Sequence, residues 1–563
     1  MMDYLERYAQ WEKAPLSAGE RQELEALKGD TEAMKLAFAG ELHFGTGGMR
    51  AIMGVGSNLL NRHTVRRAAQ GMAAWLKTTD LPQRAAIGYD SRHHSREFGE
   101  VCAVAFAEAG IQAFLYDRLA PTPMLSFAVR NLGCGCGVVI SASHNDGRYN
   151  GVKCYGPDGC QLTDEPAAVV TGKIEEIPYF VPEEDSFQGF MDRGLIQLIP
   201  QSLWEAYYKT VMAEAVAPEK IAKAGVNVVY TPLCGTGNEP VRHVLGALGA
   251  NVTVVAVQEK PDGDFKTCEY PNPETDAALN ESYKVARQVS CDVVLGTDPD
   301  CDRVAIAVPH GNDFIKLTGN ELGALLLDYI LRARQGSLPE GAEAVRSIVS
   351  TPMVDQIAAA YGCKIKKVLT GFKYIGGEIL ELERQGRADR FVFGFEESCG
   401  YLKGTYARDK DAVLGSMLVC EMIASYKLEG KDILEVLEEM YRKYGYYVAY
   451  TQSVSLSGAD AMEKAAKIMA DLRASTPASI GGKRVTAVLD YKARVAKDLA
   501  DGSTEPITLP VSNVLELHLE GGSSVIARPS GTEPKLKYYY TAVGKTRQEA
   551  LDLLERMKAD MNR

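Results

Sequence analysis

Val226-Asn227-Val228-Val229-Tyr230 is a mostly apolar, β-branched run; Cys234-Gly235-Thr236-Gly237 is the turn after it, and Pro240 to Leu248 a helical stretch. Asn251 to Val257 is strand-like again, and Cys291 to Leu295 is a further apolar run that ends in an aspartate-rich loop. Short buried strands that alternate with helices predict βαβ units and a mostly parallel sheet. Ser347 to Ser350, Lys366 to Leu369 and Phe391 to Phe393 repeat the theme downstream, and Gly137-Val138-Val139-Ile140 is an apolar run of the same kind upstream. The fold class is α/β. In such sheets ligands sit in the loops beyond the C-terminal strand ends, so those loops are where chemistry is expected.

The C-terminal region reads differently. Leu515 to Leu519 alternates, Gly521-Gly522 turns, and Val525-Ile526-Ala527 returns, a hairpin pattern. Leu536 to Tyr540 is a further strand, and Thr546-Arg547-Gln548-Glu549 has capping-box spacing. Ala550, Leu553, Leu554, Met557 and Met561 then make one apolar stripe of a closing helix. This is a separate α+β domain. The chain has 563 residues, and at roughly 150 residues per domain that predicts three to five domains. Composition shifts place the boundaries at 1–205, 206–315, 316–450 and 451–563, and the three successive α/β segments point to one fold used three times.

Composition narrows the function. With 46 % hydrophobic and 24 % charged residues the chain is neither disordered, collagenous nor a membrane bundle. The net charge of −12 argues against general affinity for nucleic acid or an anionic membrane, both of which reward cationic protein. The 12 cysteines do not form the framework of a short secreted domain, and the Cys134/Cys136 pair has no second pair at zinc-finger spacing, so they read as reduced, buried thiols. Met1 to Arg7 has neither a basic nor an apolar leader segment. Leu322 to Leu331, the most apolar helix candidate, is interrupted by Asp328 and too short to span a bilayer. A reduced cytoplasmic protein is expected.

Four loops carry chemistry. In Gly296-Thr297-Asp298-Pro299-Asp300-Cys301-Asp302-Arg303 three alternating carboxylates follow a strand. Residues two apart in an extended loop can point the same way, so three hard oxygens can converge on one cation of the Mg²⁺ kind. The loop is not an EF-hand: position 6 is Arg303 rather than Gly and position 12 is Pro309 rather than Glu. Ile140-Ser141-Ala142-Ser143-His144-Asn145 delivers small hydroxyls beside a histidine, which could be a nucleophile or phosphoryl carrier but, taken alone, reads more readily as an ordinary turn. Lys153 follows as a cation able to neutralise a phosphoryl group or move a proton. Arg528-Pro529-Ser530-Gly531-Thr532-Glu533-Pro534, with Lys535 and Lys537, has the fork, hydroxyls and glycine of a phosphate cradle. Gly394-Phe395-Glu396-Glu397-Ser398-Cys399-Gly400 sets carboxylates and a hydroxyl after a strand, as recognition of sugar hydroxyls needs. Arg408-Asp409-Lys410-Asp411, taken alone, reads as a solvated charge run.

In this combination and order the loops resemble the α-D-phosphohexomutase family, over essentially the whole chain. Phe44-Gly45-Thr46-Gly47-Gly48-Met49-Arg50 matches the family's opening signature, and Gly88-Tyr89-Asp90-Ser91-Arg92 looks like its following loop. Tyr149-Asn150-Gly151-Val152-Lys153, Cys234-Gly235-Thr236-Gly237-Asn238 and Thr370-Gly371-Phe372-Lys373 are closest to the α-phosphoglucomutase and phosphopentomutase branch. The resemblance implies four domains around a central cleft, three related α/β domains and a C-terminal α+β domain that binds phosphate. It implies that Ser143 carries the phosphoryl group and, with Asp298, Asp300 and Asp302, holds one Mg²⁺. Arg50, Lys153, Arg303 and Lys410 would surround the reacting group. Glu396 and Ser398, with Gly371, Phe372 and Lys373, would contact the sugar, and Arg528, Ser530, Gly531, Thr532 and Lys537 the distal phosphate.

The activity implied is interconversion of glucose 1-phosphate and glucose 6-phosphate through glucose 1,6-bisphosphate, with small-molecule sugar phosphates as partners and neither nucleic acid nor membrane. Phosphopentomutase and phosphomannomutase chemistry are the nearest alternatives; an aspartyl-phosphate phosphatase using Asp298 and a non-catalytic sugar-phosphate sensor are remote ones. Three positions depart from the family pattern: Ser141 stands where Thr is usual, Asp146 where Pro is common, and Gly400-Tyr401 where some members place a histidine. The general acid/base is therefore expected at Lys153 or Lys410, with His144 as the alternative.

Overall fold

A computed structural model describes residues 3–45, 47–456, 461–529 and 535–562. Ser530, Gly531 and Thr532 of the expected phosphate loop, and Thr46, lie outside the described residues.

The first three sheets repeat one plan. In the second, the order is Asp313–Lys316, Val304–His310, Val293–Thr297, Asn227–Thr231, Asn251–Val254. Its last three are parallel neighbours, and Val304–His310 returns antiparallel beside Val293–Thr297. The third sheet places Gly400–Leu402, Phe391–Glu396, Glu343–Ser347 and Lys364–Val368 in the same order with the same directions. The first does so with Tyr149–Tyr155, Cys136–Ile140, Arg84–Tyr89 and Gln112–Leu115, adding Gly48–Ile52 and Ile196–Leu198 at its edges. One unit is thus used three times. In each, the loop between the last parallel strand and its antiparallel return carries the residues singled out from the sequence.

Helix edges shift against the sequence reading. The helix after the first strand of the second unit is Asn238–Ala247, two residues earlier than read, with its N-cap Gly237 already in helical conformation. The strand there stops at Val254, and Ala256–Glu259 forms a short helix. The apolar stretch around Leu322 lies in the helix Gly319–Ala333, and a further helix, Ala412–Leu428, is buried without a break from Ala412 to Tyr426. It lies between the units and packs on Glu219–Ala224 and Asn238–Ala247. No helix among the described residues is long and apolar enough to cross a membrane. All twelve cysteines are free, and ten are buried, where desolvation pushes thiols such as Cys102 up and leaves them as packing groups.

The fourth sheet is antiparallel. Its hairpin pairs Leu515 with Ala527 and Leu517 with Val525, and Gly521 and Gly522 both take positive φ (86°) in the turn. The closing helix Arg547–Met561 buries Ala550, Leu553, Leu554 and Met557. Thr546 caps it by accepting the Glu549 N–H, while the Glu549 carboxylate takes the Lys545 N–H rather than that of Thr546, so the capping box is half made. This domain meets the third unit through Tyr491, Val514, Ile526 and Tyr539, packed on Ile348, Val349 and Leu369.

Candidate active site

The three loops use one backbone device. Ser143, Cys301 and Cys399 all adopt left-handed φ values of 54°, 55° and 62°. A non-glycine residue there is strained by about 1–3 kcal/mol, a cost that buried neighbours must offset. At Ser143 the strain aims the hydroxyl across to the second unit. Its Oγ lies 2.9 Å from Asp298 Oδ2 and 3.1 Å from His144 Nδ1, and its N–H donates to Ser141 Oγ at 2.8 Å. The hydroxyl at position 141, Ser here, thus holds the turn.

Asp298, Asp300 and Asp302 are at most 2 % exposed. One carboxylate oxygen from each lies within 4.8 Å of the others. Asp298 Oδ1 accepts the N–H groups of Asp302 and Arg303 at 3.1 and 3.0 Å, which curls the loop so that all three side chains face inward. Asp300 Oδ1 and Asp302 Oδ1 are buried with no hydrogen-bond donor among the described residues. Buried carboxylate oxygens without a donor are costly unless a cation takes them. Hard oxygens converging in this way fit a divalent metal ion.

Cations close the ring from the far side. Lys153 Nζ reaches Asp300 Oδ2 at 2.5 Å and Asp302 Oδ2 at 3.3 Å, and Lys410 Nζ reaches Asp302 Oδ2 at 3.2 Å. Burial and the two neighbouring carboxylates push Asp298 well above the usual carboxylate range. Burial would raise Asp300 too, but the Lys153 ammonium outweighs it and holds Asp300 low. Burial opposes protonation of Lys410, yet Asp302 and Asp409 raise it, so it stays charged. At His144, burial and the Arg303 and Arg50 charges push the imidazole well down, leaving it neutral beside the hydroxyl.

The other expected residues fall as follows. Arg303 Nη1 pairs with Glu274 at 2.8 Å. Arg50 Nη1 donates to Asn145 Oδ1 at 2.8 Å, an exposed contact on the serine loop. Glu396 Oε1 accepts the Gly371 N–H at 2.6 Å, which joins the sugar loop to the 370–373 loop. Phe372 is buried with Lys410 Nζ 5.4 Å from its ring centroid, and Ser398 is half-buried. Lys373 turns to the first unit, 2.7 Å from Asp164 Oδ1. Arg528 stands opposite Lys537 in the strand register. The reading of residues 408–411 as a solvated run is overturned: all four are at most 9 % exposed. Asp409 accepts Tyr155 Oη at 2.8 Å; Asp411 accepts Tyr207 and Tyr406 Oη at 2.8 and 2.6 Å and caps Ala412–Leu428. Tyrosine hydroxyls, two of them from far along the chain and Tyr406 from nearby, satisfy the buried carboxylates, and nothing in the local charge pattern signals them.

One further group, Thr122, escapes sequence reasoning, and Glu397 of the sugar loop shows a property that its motif does not signal. Thr122, fully buried, donates its N–H to the Asp300 carbonyl and its Oγ1 to Asp300 Oδ2, each at 2.9 Å. It orients Asp300 across the boundary between two units; no spacing links residues 122 and 300. Thr122→Val is expected to cost ~1–2 kcal/mol in urea unfolding and to weaken divalent-cation binding at least ~10-fold in calorimetric titration. Glu397, whose carboxyl accepts from Ser347 Oγ at 3.2 Å, is pushed up to about 7 by burial and by Glu396. A raised carboxyl stabilises the fold fully below its ordinary value near 4.5 and loses that contribution as pH rises through about 7. Glu397→Gln should flatten that decline, ending up to ~3 kcal/mol more stable than the parent at about pH 8 in urea titrations.

Three family models match in succession: phosphoglucomutase/phosphomannomutase alpha/beta/alpha domain I at residues 41–179, domain II at 205–311 and domain III at 318–444. The chain belongs to the phosphoglucomutase/phosphomannomutase family. A phosphoglucomutase of Staphylococcus epidermidis is 36 % identical over 501 residues, spanning 88 % of this chain and 90 % of that protein. One of Staphylococcus aureus is 36 % identical over 506 residues, spanning 89 % and 90 %. Among solved structures, a putative phosphomannomutase from Thermus thermophilus superposes with a TM-score of 0.70 at 21 % identity, over 93 % of this chain and 100 % of that one. The open form of parafusin, a phosphoglucomutase from Paramecium, superposes with a TM-score of 0.68 at 16 % identity, over 93 % and 95 %. The fold of this phosphoglucomutase/phosphomannomutase family member is therefore that of the α-D-phosphohexomutases, three α/β/α domains and a C-terminal sheet domain, and the chain is an enzyme of the phosphoglucomutase branch.

Proposed function

We propose that the chain interconverts glucose 1-phosphate and glucose 6-phosphate, with Ser143 as the phosphoryl carrier. The observation that carries this is the Ser143 hydroxyl 2.9 Å from Asp298, inside a ring of three buried carboxylates and two lysines. The phosphoserine gives its group to the free hydroxyl of glucose 1-phosphate, making glucose 1,6-bisphosphate. That intermediate turns over in the cleft, and its other phosphoryl returns to Ser143 as glucose 6-phosphate leaves. Asp298, Asp300 and Asp302, with the phosphoserine oxygens, would hold Mg²⁺, which supplies charge neutralisation as the P–O bond loosens.

The chain's own residues do the rest. Arg50, Lys153, Arg303 and Lys410 neutralise the moving group. Lys153 or Lys410 exchanges the sugar proton, and His144 Nδ1, neutral at 3.1 Å, can hold the proton of Ser143 Oγ. Glu396 and Ser398 orient the sugar hydroxyls beside Gly371, Phe372 and Lys373. Arg528, Ser530, Gly531, Thr532 and Lys537 grip the phosphate that does not react. Residues 1–205, 206–315, 316–450 and 451–563 thus supply the serine, metal, sugar and phosphate loops in turn. A cleft that excludes water keeps the phosphoryl group from hydrolysis. A cytoplasmic setting suits the free, buried thiols.

The test is a coupled assay for glucose 6-phosphate formation, with and without Mg²⁺ and traces of glucose 1,6-bisphosphate. Turnover that needs both supports the reading, and none under any condition rejects it. Comparing kcat/KM for glucose, mannose and ribose phosphates separates it from phosphomannomutase and phosphopentomutase activity. Phosphoryl trapping on Asp298 would favour a phosphatase instead, and tight bisphosphate binding without isomerisation a sensor.

A further inference from the structure

A buried guanidinium stands directly behind the serine loop. Arg92 is 3 % exposed. Its Nη1 donates to the carbonyl oxygens of Asp146 and Tyr149 at 2.7 and 2.9 Å, and its Nη2 to those of Ser143 and Asn145 at 2.6 and 2.5 Å. Asp90, 1 % exposed, pairs with Arg92 Nε at 3.2 Å and also accepts the Arg92 N–H at 3.0 Å and Ser95 Oγ at 2.8 Å. The fork is thus fixed from behind before it meets the loop. The loop has no strand or helix of its own, and Ser143 holds a backbone conformation that serine seldom adopts. Four carbonyls drawn onto one rigid, planar donor set fix the peptide planes on both sides of residues 143–149. The Ser143 side chain is thereby turned away from Arg92 and towards Asp298.

The guanidinium is covered by the second unit. The Phe265 ring centroid lies 5.0 Å from Arg92 Cζ, and Phe265 is 2 % exposed at a left-handed φ of 50°. The strap around Phe265 is tied to the first unit: His93 Nε2 meets Asp264 Oδ1 at 2.6 Å. A Cβ at Gly147 would lie 2.6 Å from the Gly263 carbonyl oxygen, and one at Gly263 would lie 2.8 Å from the His93 nitrogen. Only glycine at both places allows the two backbones to touch. None of the groups proposed for phosphoryl transfer, metal or sugar binding includes Arg92 or Phe265.

We propose that Arg92 is the positioning residue of the phosphoryl-carrying serine, and that the Gly263-Asp264-Phe265 strap seats it, so that docking of the second unit on the first sets the aim of Ser143 Oγ. This rests on the reading of Ser143 given above. Arg92 touches neither sugar nor transferred phosphate, so its loss should fall on kcat rather than KM. Aiming errors of about 1 Å cost roughly 100-fold in rate.

The test compares the parent protein with Arg92→Lys and Phe265→Leu, by glucose 1-phosphate turnover and by backbone hydrogen exchange. Lysine keeps the charge and loses the fork; leucine keeps the apolar cover and loses the ring face. We expect kcat to fall about 100-fold in R92K and about 5- to 10-fold in F265L, with KM within about threefold of the parent. Exchange of the 141–149 amides should quicken at least tenfold in both, while Arg84–Tyr89 and Cys136–Ile140 stay protected. Parental kcat in R92K overturns the proposal, as does exchange that quickens across the whole first sheet. If R92K does not fold, F265L decides alone: local quickening at 141–149 supports the proposal and its absence overturns it. A parent protein without turnover rejects the mutase reading itself, a result distinct from an active parent with an equally active R92K.

Discussion

Ser143→Ala is expected to reduce turnover at least ~10⁴-fold, because it removes the atom that carries the phosphoryl group while leaving every other contact of the loop intact. Ser143 contributes its N–H to Ser141 and its carbonyl to Arg92, neither of which alanine changes. The variant should therefore fold, keep its thermal midpoint to within a few degrees, and still bind sugar phosphates. What it loses is the Oγ contact to Asp298 and to His144. Mass spectrometry of tryptic peptides should find phosphate on the 141–147 segment of the parent and none there in the variant. Retained mutase activity would reject Ser143 as carrier. Phosphate found instead on Asp298 would move the chemistry to the second unit.

The second large effect concerns the carboxylate ring. Asp298→Asn keeps the size of the side chain and removes, from a site at most 2 % exposed, a carboxyl that burial and its two neighbours already make costly to ionise. Three buried carboxylates repel one another, and of the three Lys153 and Lys410 reach Asp300 and Asp302 but not Asp298. The metal-free variant should therefore be as stable as the parent or more so. Its loss appears when metal is added. A cation present at about 100 times its dissociation constant stabilises the parent by ~2.7 kcal/mol. In Asp298→Asn that Mg²⁺-dependent rise in thermal midpoint should vanish, and kcat should fall on the order of 10³-fold. Scanning calorimetry with chelator and with Mg²⁺ reads both arms. An equal metal-induced rise in parent and variant would remove Asp298 from the ligand set.

Much of this was legible in the chain itself. Val226 to Tyr230, the aspartates after Leu295 and the glutamates after Phe393 each announce a buried strand that delivers polar residues to its C-terminal end. The aspartates alternate, which marks them as a set, but their convergence comes from a turn with Cys301 left-handed and Asp298 Oδ1 accepting the Asp302 and Arg303 N–H groups, not from an extended loop. The hairpin around Gly521-Gly522 and the stripe of the last helix follow from local periodicity. Residues 408–411 show where this reasoning stops. Four consecutive charges read as solvated because the tyrosines that satisfy them, Tyr155, Tyr207 and Tyr406, are either distant in sequence or unremarkable beside them.

The sequence by itself determined the strand–loop–strand unit, the order of the four chemical loops and the residue types each delivers, because periodicity, turn residues and alternating carboxylates act over a few positions. Only the tertiary structure decided which of those groups meet. Thr122 is placed on Asp300 and Phe265 over Arg92 by the docking of one α/β unit on another, and Arg92 is placed behind Ser143 by packing within the first unit. These contacts span from 51 to 178 positions of chain. Buried polar groups must find partners wherever the packed units bring them, and no local pattern in the chain encodes that distance.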